Sequence, residues 1–296
     1  MIAVDWGTTH LRAWRLAADG HILERRARPE GIMAVEQGAF ASVLDELVGS
    51  WIAEGAGPVF MCGMVGSRQG WSEVPYVRCP ASLQEVVAGV REVKWSGNRS
   101  AYICPGLLCE DAQGVPDVIR GEESKAFGAM QHLPAGLVDL RLPGTHSKHV
   151  RIRDGVIEGF TTHMTGEAFA LLRSHSLLGR MMEGDTLDTD GFDQGVERSR
   201  EPGGLLHHLF GVRTRALLGE IAPGALSGYL SGMLIGHEIH ASTPAPRTYV
   251  IAAPELATLY ARALATAGSE VILVDSDIAA VGLFRIAQGL EARRAA

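Results

Sequence analysis

Short apolar runs and helix-spaced apolar positions alternate along the whole chain. Ile2-Ala3-Val4 and residues 11–16 read as two strands around a polar turn, and residues 21–28 as a third. Phe40, Val43, Leu44, Leu47, Val48 and Trp51 recur at helical spacing and predict a helix over 40–54. An apolar strand at 58–62 runs into a Gly-rich loop at 63–71. A short helix at 82–90, a strand at 101–104 and a helix at 120–130 follow, the last opening on Glu122-Glu123, which suits the helix dipole.

The second half repeats the theme. Leu137-Val138-Asp139-Leu140 and residues 149–152 read as strands around a second polar turn. A helix is expected at 168–182 and a polar surface loop or lid at 184–203. Helices at 204–219 and 224–237, a strand at 248–252, a helix at 254–267 opened by Pro254, a strand at 270–274 and a helix at 278–291 complete the pattern. Strands alternating with helices indicate an α/β architecture.

Both turns have the same chemistry. Asp5-Trp6-Gly7-Thr8-Thr9 and Pro143-Gly144-Thr145-His146-Ser147-Lys148 carry Gly, hydroxyl groups and, in the second, a lysine. Gly admits a ligand close to the backbone, and free N–H groups beside hydroxyls form an anion cradle. Either turn alone is also what an ordinary hairpin tip looks like. The pair, each opening its own half of the chain, points to a nucleotide's phosphates gripped by two domains, 1–134 and 135–296.

Composition narrows this picture. A chain of 296 residues has room for two medium domains. Its net charge is −7, which disfavours a general nucleic-acid or anionic-membrane partner. Lysine occurs only at positions 94, 125 and 148, so Lys148 in the second turn stands out from a background of arginine. Cys62, Cys79, Cys104 and Cys109 lie in or beside apolar segments and read as buried free thiols; Cys104 and Cys109 lack zinc-knuckle spacing. No apolar run reaches the roughly 18 residues of a membrane span, and a cytoplasmic, unprocessed protein is expected.

Several suggestive patterns fall away. Thr186, Asp188, Asp190 and Glu197 imitate a calcium loop, but the first ligand is Thr and Asp193 replaces its apolar position. His237-Glu238-Ile239-His240 is not the H-E-x-x-H of zinc proteases. Lys148 follows Ser147 with no helix directly after, unlike a Walker loop.

The first turn resembles the first phosphate motif of actin-like, hexokinase-like ATPases. More specifically, residues 4–14, 62–71, 117–123, 142–148 and 164–167 resemble 2-dehydro-3-deoxygalactonokinases. The resemblance spans most of the chain. It departs at Ala252-Ala253-Pro254, where the family carries a Gly-containing turn near the adenine. It implies a two-domain actin-like (ribonuclease H-like) fold with ATP and Mg²⁺ in an inter-domain cleft, and a last helix at 278–291 packing back toward the first domain. The implied reaction is phosphorylation of 2-dehydro-3-deoxy-D-galactonate on its 6-hydroxyl.

Phosphoryl transfer depends on positioning and charge neutralisation more than on covalent chemistry. On this resemblance Asp5 holds Mg²⁺ through water. Gly7, Thr8 and Thr9 meet the phosphates from one side and Gly144, Thr145, Ser147 and Lys148 from the other, with Ala253 and Pro254 near the adenosine. The substrate carboxylate calls for a guanidinium, and Arg12, Arg68 and Arg120 lie in or beside the candidate loops, with Ser67 adjacent. A surface salt bridge is the ordinary alternative for each arginine. Thr165 and Glu167 are further polar candidates. The attacking hydroxyl needs a carboxylate base; Glu122 and Glu123 are first choices and Asp117 next, against the alternative that they simply cap a helix. A kinase for another sugar acid, a phosphatase of the same superfamily, and a nonenzymatic nucleotide sensor share these features, and residues 226–235 suit either a core or a homodimer face.

Overall fold

The computed structural model describes residues 1–95, 99–184 and 187–296, and the chain divides into two compact units. The first comprises Met1–Leu137, Val150–Thr161 and Asp275–Ala296; the second comprises Val138–His149 and Thr162–Val274.

The first unit begins with the three predicted strands, β1 (Ile2–Trp6), β2 (Leu11–Leu16) and β3 (Ile22–Arg28), followed by α1 (Phe40–Ala53) and β4 (Val59–Cys62). Next come β5 (Val77–Arg78), α2 (Leu83–Gly89), β6 (Arg91–Trp95), β7 (Arg99–Ile103), β8 (Leu107–Glu110), β9 (Pro116–Ile119) and α3 (Glu122–Ala129). The main sheet has the order β3-β2-β1-β4-β7-β6. Strands β1 and β2 pair antiparallel, with Asp5 opposite Arg12, while β1 and β4 run parallel, with Asp5 beside Cys62. Every β4 residue is buried, as expected of a strand in the middle of a sheet. Trp6, Phe40, Leu44, Trp51 and Met61 fill the core beside α1.

The second unit contains β10 (Leu137–Leu142), β11 (Ser147–Arg153), β12 (Val156–His163), α4 (Thr165–His175), α5 (Thr189–Arg198), α6 (Gly204–Leu217), α7 (Leu226–His240), β13 (Arg247–Val250), α8 (Pro254–Thr266) and β14 (Glu270–Leu273). Its sheet order, β12-β11-β10-β13-β14, repeats the order β3-β2-β1-β4-β7 of the first unit. Outer hairpin residues Val150–Thr161 group with the first unit, as does the last helix, α9 (Ile278–Ala295). Helix α9 packs on α3 through paired glycines: a Cβ on Gly282 would lie 1.8 Å from the Ser124 carbonyl oxygen, and one on Gly128 2.1 Å from that of Ile278.

Three expectations change. Within 184–203, where a surface loop or lid was expected, residues Thr189–Arg198 form helix α5. Their glycines are a packing face. Gly191 and Gly195 on α5 meet Gly228, Gly232 and Gly236 on α7, where a Cβ on Gly232 would stand 1.9 Å from the Phe192 carbonyl oxygen. Asp188 caps α5 by accepting from Gly191 N at 2.6 Å. Thr186 of the imitation calcium loop lies outside the described residues. Secondly, α4 ends at His175, sooner than expected, and a short 3₁₀ turn follows at Gly179–Met181. Thirdly, a small sheet, β5-β8-β9, was not expected; its strands of two to four residues are too short to show alternation.

All four cysteines are free, and three are buried. Among the described residues no helix is long and apolar enough to cross a membrane.

Candidate active site

In the first unit, Asp5 is the penultimate residue of β1 and sits half-buried just before the turn Gly7-Thr8-Thr9. The turn is closed by Gly7 N donating to His10 O at 2.9 Å. It is braced from behind by Ile32 N on Gly7 O (3.0 Å) and Met33 N on Thr8 O (3.3 Å). Thr8 and Thr9 are exposed, and the Thr9 hydroxyl pairs with His10 Nδ1 at 2.9 Å. Beside Asp5, two glycines hold left-handed conformations that other residues resist: Gly63 at φ 92° and Gly121 at φ 115°. Cβ atoms built on them would come within 3.3 and 3.8 Å of Asp5 Oδ1. The chain thus keeps side chains away from this carboxylate. Cys62 Sγ lies 3.9 Å from Asp5 Oδ1 and 3.2 Å from Ser124 Oγ, and burial pushes its thiol well up, so it stays protonated.

Arg120 and Arg68 differ sharply. Arg68 is 86% exposed and paired only loosely with Glu73, at 3.7 Å. Arg120 is 9% exposed. Its Nη2 donates to Val74 O at 2.8 Å, and its guanidinium stacks on Tyr76, 4.1 Å from the ring centre. Its Nε and Nη1 are buried with no partner, as is the hydroxyl of nearby Ser67. Gly66, next to Ser67 in the chain, faces Arg120; a Cβ there would lie 3.0 Å from Arg120 Nη1. Unpaired buried donors on a fixed cation are a costly arrangement unless an acceptor arrives. Arg12 is half-buried on β2, directly across from Asp5.

The two glutamates at the start of α3 turn back on their own backbone. Glu122 Oε2 accepts from Arg120 N at 3.0 Å, and Glu123 Oε2 from Gly121 N at 2.6 Å. Glu122 is half-buried. Glu123 is fully buried and its Oε1 has no partner. Burial, reinforced by the charge of Glu122, pushes Glu123 up to about 8. Near neutral pH Glu123 therefore favours its protonated form, in which it does not accept a proton. Asp117 lies on β9 opposite Cys109.

In the second unit, the predicted turn joins β10 to β11. Gly144 and Thr145 stand at its tip, where the N-terminus of α4 abuts it: Glu167 N donates to Thr145 O at 2.9 Å, and a Cβ on Gly166 would lie 2.4 Å from Gly144 O. His146 Nε2 and Glu167 Oε2 are 2.5 Å apart. The side chains of Ser147 and Thr165 are not offered to a ligand. Both hydroxyls donate to Glu238 on α7, Ser147 at 2.6 Å, and Ser147 is fully buried. Glu238 also faces His149 Nε2 at 2.7 Å and accepts from the Tyr260 hydroxyl at 2.6 Å. Burial alone would raise the Glu238 carboxyl; the donors of His149, Ser147 and Thr165 outweigh it and hold the group below the usual carboxylate range. Burial keeps His149 neutral and Tyr260 protonated. Lys148, also buried, donates to Thr162 Oγ1 at 3.0 Å. Ala253 caps α8 and Pro254 is its first residue, both exposed.

Sequence reading missed Glu238, His149 and Tyr260. The only local signal was a charged residue within the apolar face of α7.

Comparison with known proteins extends these observations. A family model described as 2-keto-3-deoxy-galactonokinase matches residues 5–286. A Rhizobium meliloti (strain 1021) protein named "probable 2-dehydro-3-deoxygalactonokinase" is 38% identical over 283 residues, 93% of this chain and 92% of the relative. The Escherichia coli (strain K12) 2-dehydro-3-deoxygalactonokinase is 36% identical over 286 residues, 94% of each chain. A crystal structure of a Sinorhizobium meliloti protein, assigned as a 2-dehydro-3-deoxygalactonokinase, superposes with a TM-score of 0.89 at 38% identity, covering 98% of both chains. The expected α/β fold of the actin-like ATPases is the fold observed.

Proposed function

The chain belongs to the 2-keto-3-deoxy-galactonokinase family, and on that premise we propose that it transfers the γ-phosphoryl group of ATP to the 6-hydroxyl of 2-dehydro-3-deoxy-D-galactonate. The hydroxyl oxygen bonds to phosphorus as the bond to ADP breaks, and the hydroxyl proton passes to a carboxylate. The products are ADP and 2-dehydro-3-deoxy-6-phospho-D-galactonate.

The observation that carries this reading is the Arg120 guanidinium, fixed by Val74 and Tyr76 with two nitrogens left without acceptors. A 2-keto acid brings the carboxylate such a cation needs, and Ser67 supplies a neighbouring hydroxyl. Asp5 suits Mg²⁺, which takes one or two carboxylates and completes its shell with water and phosphate oxygens. The space that Gly63 and Gly121 keep beside its Oδ1 fits that role, and the described residues contain no group of three or more ligands that would suit a metal held by protein alone. Bound there, Mg²⁺ would neutralise charge on the transferred phosphoryl group. Thr8 and Thr9 offer donors to phosphate from the first unit, in a turn whose Gly7 N–H is already given to His10 O. Gly144, Thr145 and Lys148 do so from the second, while the Ser147 hydroxyl is held by Glu238. With Glu123 protonated and sealed in, we assign the base to Glu122.

The test is ADP release from Mg-ATP with no acceptor, with 2-dehydro-3-deoxygalactonate, with its gluconate epimer and with neutral sugars. Stimulation by the galactonate compound supports the reading. Stimulation only by a neutral sugar, or ATP binding with no turnover on any acceptor, sinks it.

A further inference from the structure

We propose that Glu238 is a positioning residue for nucleotide binding: its carboxylate holds the base of the Pro143–His146 turn and the start of α4 in register. The inference rests on the reading that this turn receives nucleotide phosphates. Four donors converge on the one buried group. Ser147 and His149 come from β11, Thr165 from the first position of α4, and Tyr260 from α8, while Glu238 itself is carried by α7.

The geometry explains why a carboxylate, and an ionised one, is needed. Only an ionised carboxylate accepts on both oxygens without donating. Oε1 serves Ser147 and His149, and Oε2 serves Thr165 and Tyr260. The partners assign His149 as the Nε2–H tautomer, because its Nδ1 faces Arg141 Nη1, and Arg141 pairs with Asp139 at 2.7 Å. The charged and titratable groups around Glu238 are therefore neutral His149, protonated Tyr260 and, one step behind, the Arg141–Asp139 pair and His163, whose ring lies 4.2 Å from that of His149.

The link to ligand binding is strand geometry. Side chains alternate along a strand, so Ser147 and His149 point toward Glu238 while Lys148, between them, points the other way. Fixing Ser147 fixes the direction of Lys148. Fixing Thr165 fixes Gly166 and Glu167, which back the turn at Gly144 and Thr145. A misplacement of about 1 Å in such supports weakens a site well beyond the loss of one contact.

Calorimetric titration with Mg-ATP, alongside thermal unfolding and steady-state kinetics, tests this on the whole chain. Glu238→Gln replaces two acceptors by one acceptor and one donor. It is expected to weaken ATP binding by about tenfold or more while the KM for sugar acid stays within about twofold. Ser147→Ala removes only the strand's tether and is expected to weaken ATP binding by about three- to tenfold. Tyr260→Phe removes the one donor that comes from α8 rather than from β11 or α4. It is expected to lower the unfolding temperature but leave ATP affinity within about twofold. Unchanged ATP affinity in Glu238→Gln overturns the proposal, and so does a loss in Tyr260→Phe as large as that in Glu238→Gln. If Glu238→Gln does not fold, Ser147→Ala decides: unchanged affinity there overturns it. A wild type that binds ATP yet phosphorylates no sugar acid overturns the kinase reading instead, and the ATP titrations still judge Glu238.

Discussion

Arg120 lies flat on Tyr76, 4.1 Å from its ring centre, with Nε and Nη1 buried and unmatched. A stacked, preoriented guanidinium offers a carboxylate fixed, planar donors that lysine cannot reproduce. Arg120→Lys is expected to raise the KM for sugar acid by about 10- to 100-fold, since hydrogen bonds to charged groups contribute about 1.5–3 kcal/mol. ATP affinity should move by less than about twofold, and Arg68→Ala, at an exposed and loosely paired position, should leave both nearly as they were. Parallel loss of ATP and sugar-acid binding in Arg120→Lys would remove the assignment.

That contrast shows what a sequence reveals. Both phosphate-type turns were legible because a Gly-Thr or Gly-Thr-His-Ser-Lys tip between apolar runs is a local signal. In sequence Arg68, set among Gly66, Gly70 and Trp71, stood out over Arg120, because the Val74 carbonyl and Tyr76 ring that give Arg120 its surroundings lie more than 40 residues before it. Glu238 was illegible for the same reason: its donors lie 22 to 91 residues away along the chain. Helix α5 was misread because glycines signal a loop unless the partner helix that needs them is known.

Glu123 makes stability depend on pH in a stated direction. Its folded-state pKa, about 8, lies above the ordinary 4.5. Below 4.5 both states are protonated and burial carries no charge penalty. As pH rises from 4.5 toward 8 the unfolded chain releases the proton and the folded one keeps it, so stability falls, by a few kcal/mol at most across that window. Glu123→Gln should flatten the decline in unfolding temperature between pH 5 and 8. Superimposable pH profiles for the two proteins would contradict a buried, protonated Glu123.

Gly232→Ala pits two effects against each other. Helix propensity favours alanine by up to about 1 kcal/mol. Packing opposes it, because the new Cβ would stand 1.9 Å from the Phe192 carbonyl oxygen, a backbone atom of a neighbouring helix. Overpacking costs about 1–3 kcal/mol or more, so the variant should unfold at a lower temperature than wild type. The same substitution at Gly211 on α6, where a Cβ would meet nothing within 4 Å, should be neutral or stabilising. Equal effects at the two sites would mean that α5 and α7 do not pack through their glycines.

Lys148 separates function from stability. Its side chain is 6% exposed, and the described hydrogen bond of its ammonium goes to a neutral hydroxyl, that of Thr162. Burying a cation without a countercharge is unfavourable, so an apolar chain of similar length should fit with no loss of stability. On the proposed function a phosphate is the countercharge this ammonium would meet, and at the transition state its charge is what the ammonium would oppose. Lys148→Met is therefore expected to unfold at the same temperature as wild type or higher, while turnover falls by about 100-fold or more. Reduced stability with near-normal turnover would place Lys148 among the structural residues of β11 and leave the second turn without its cation.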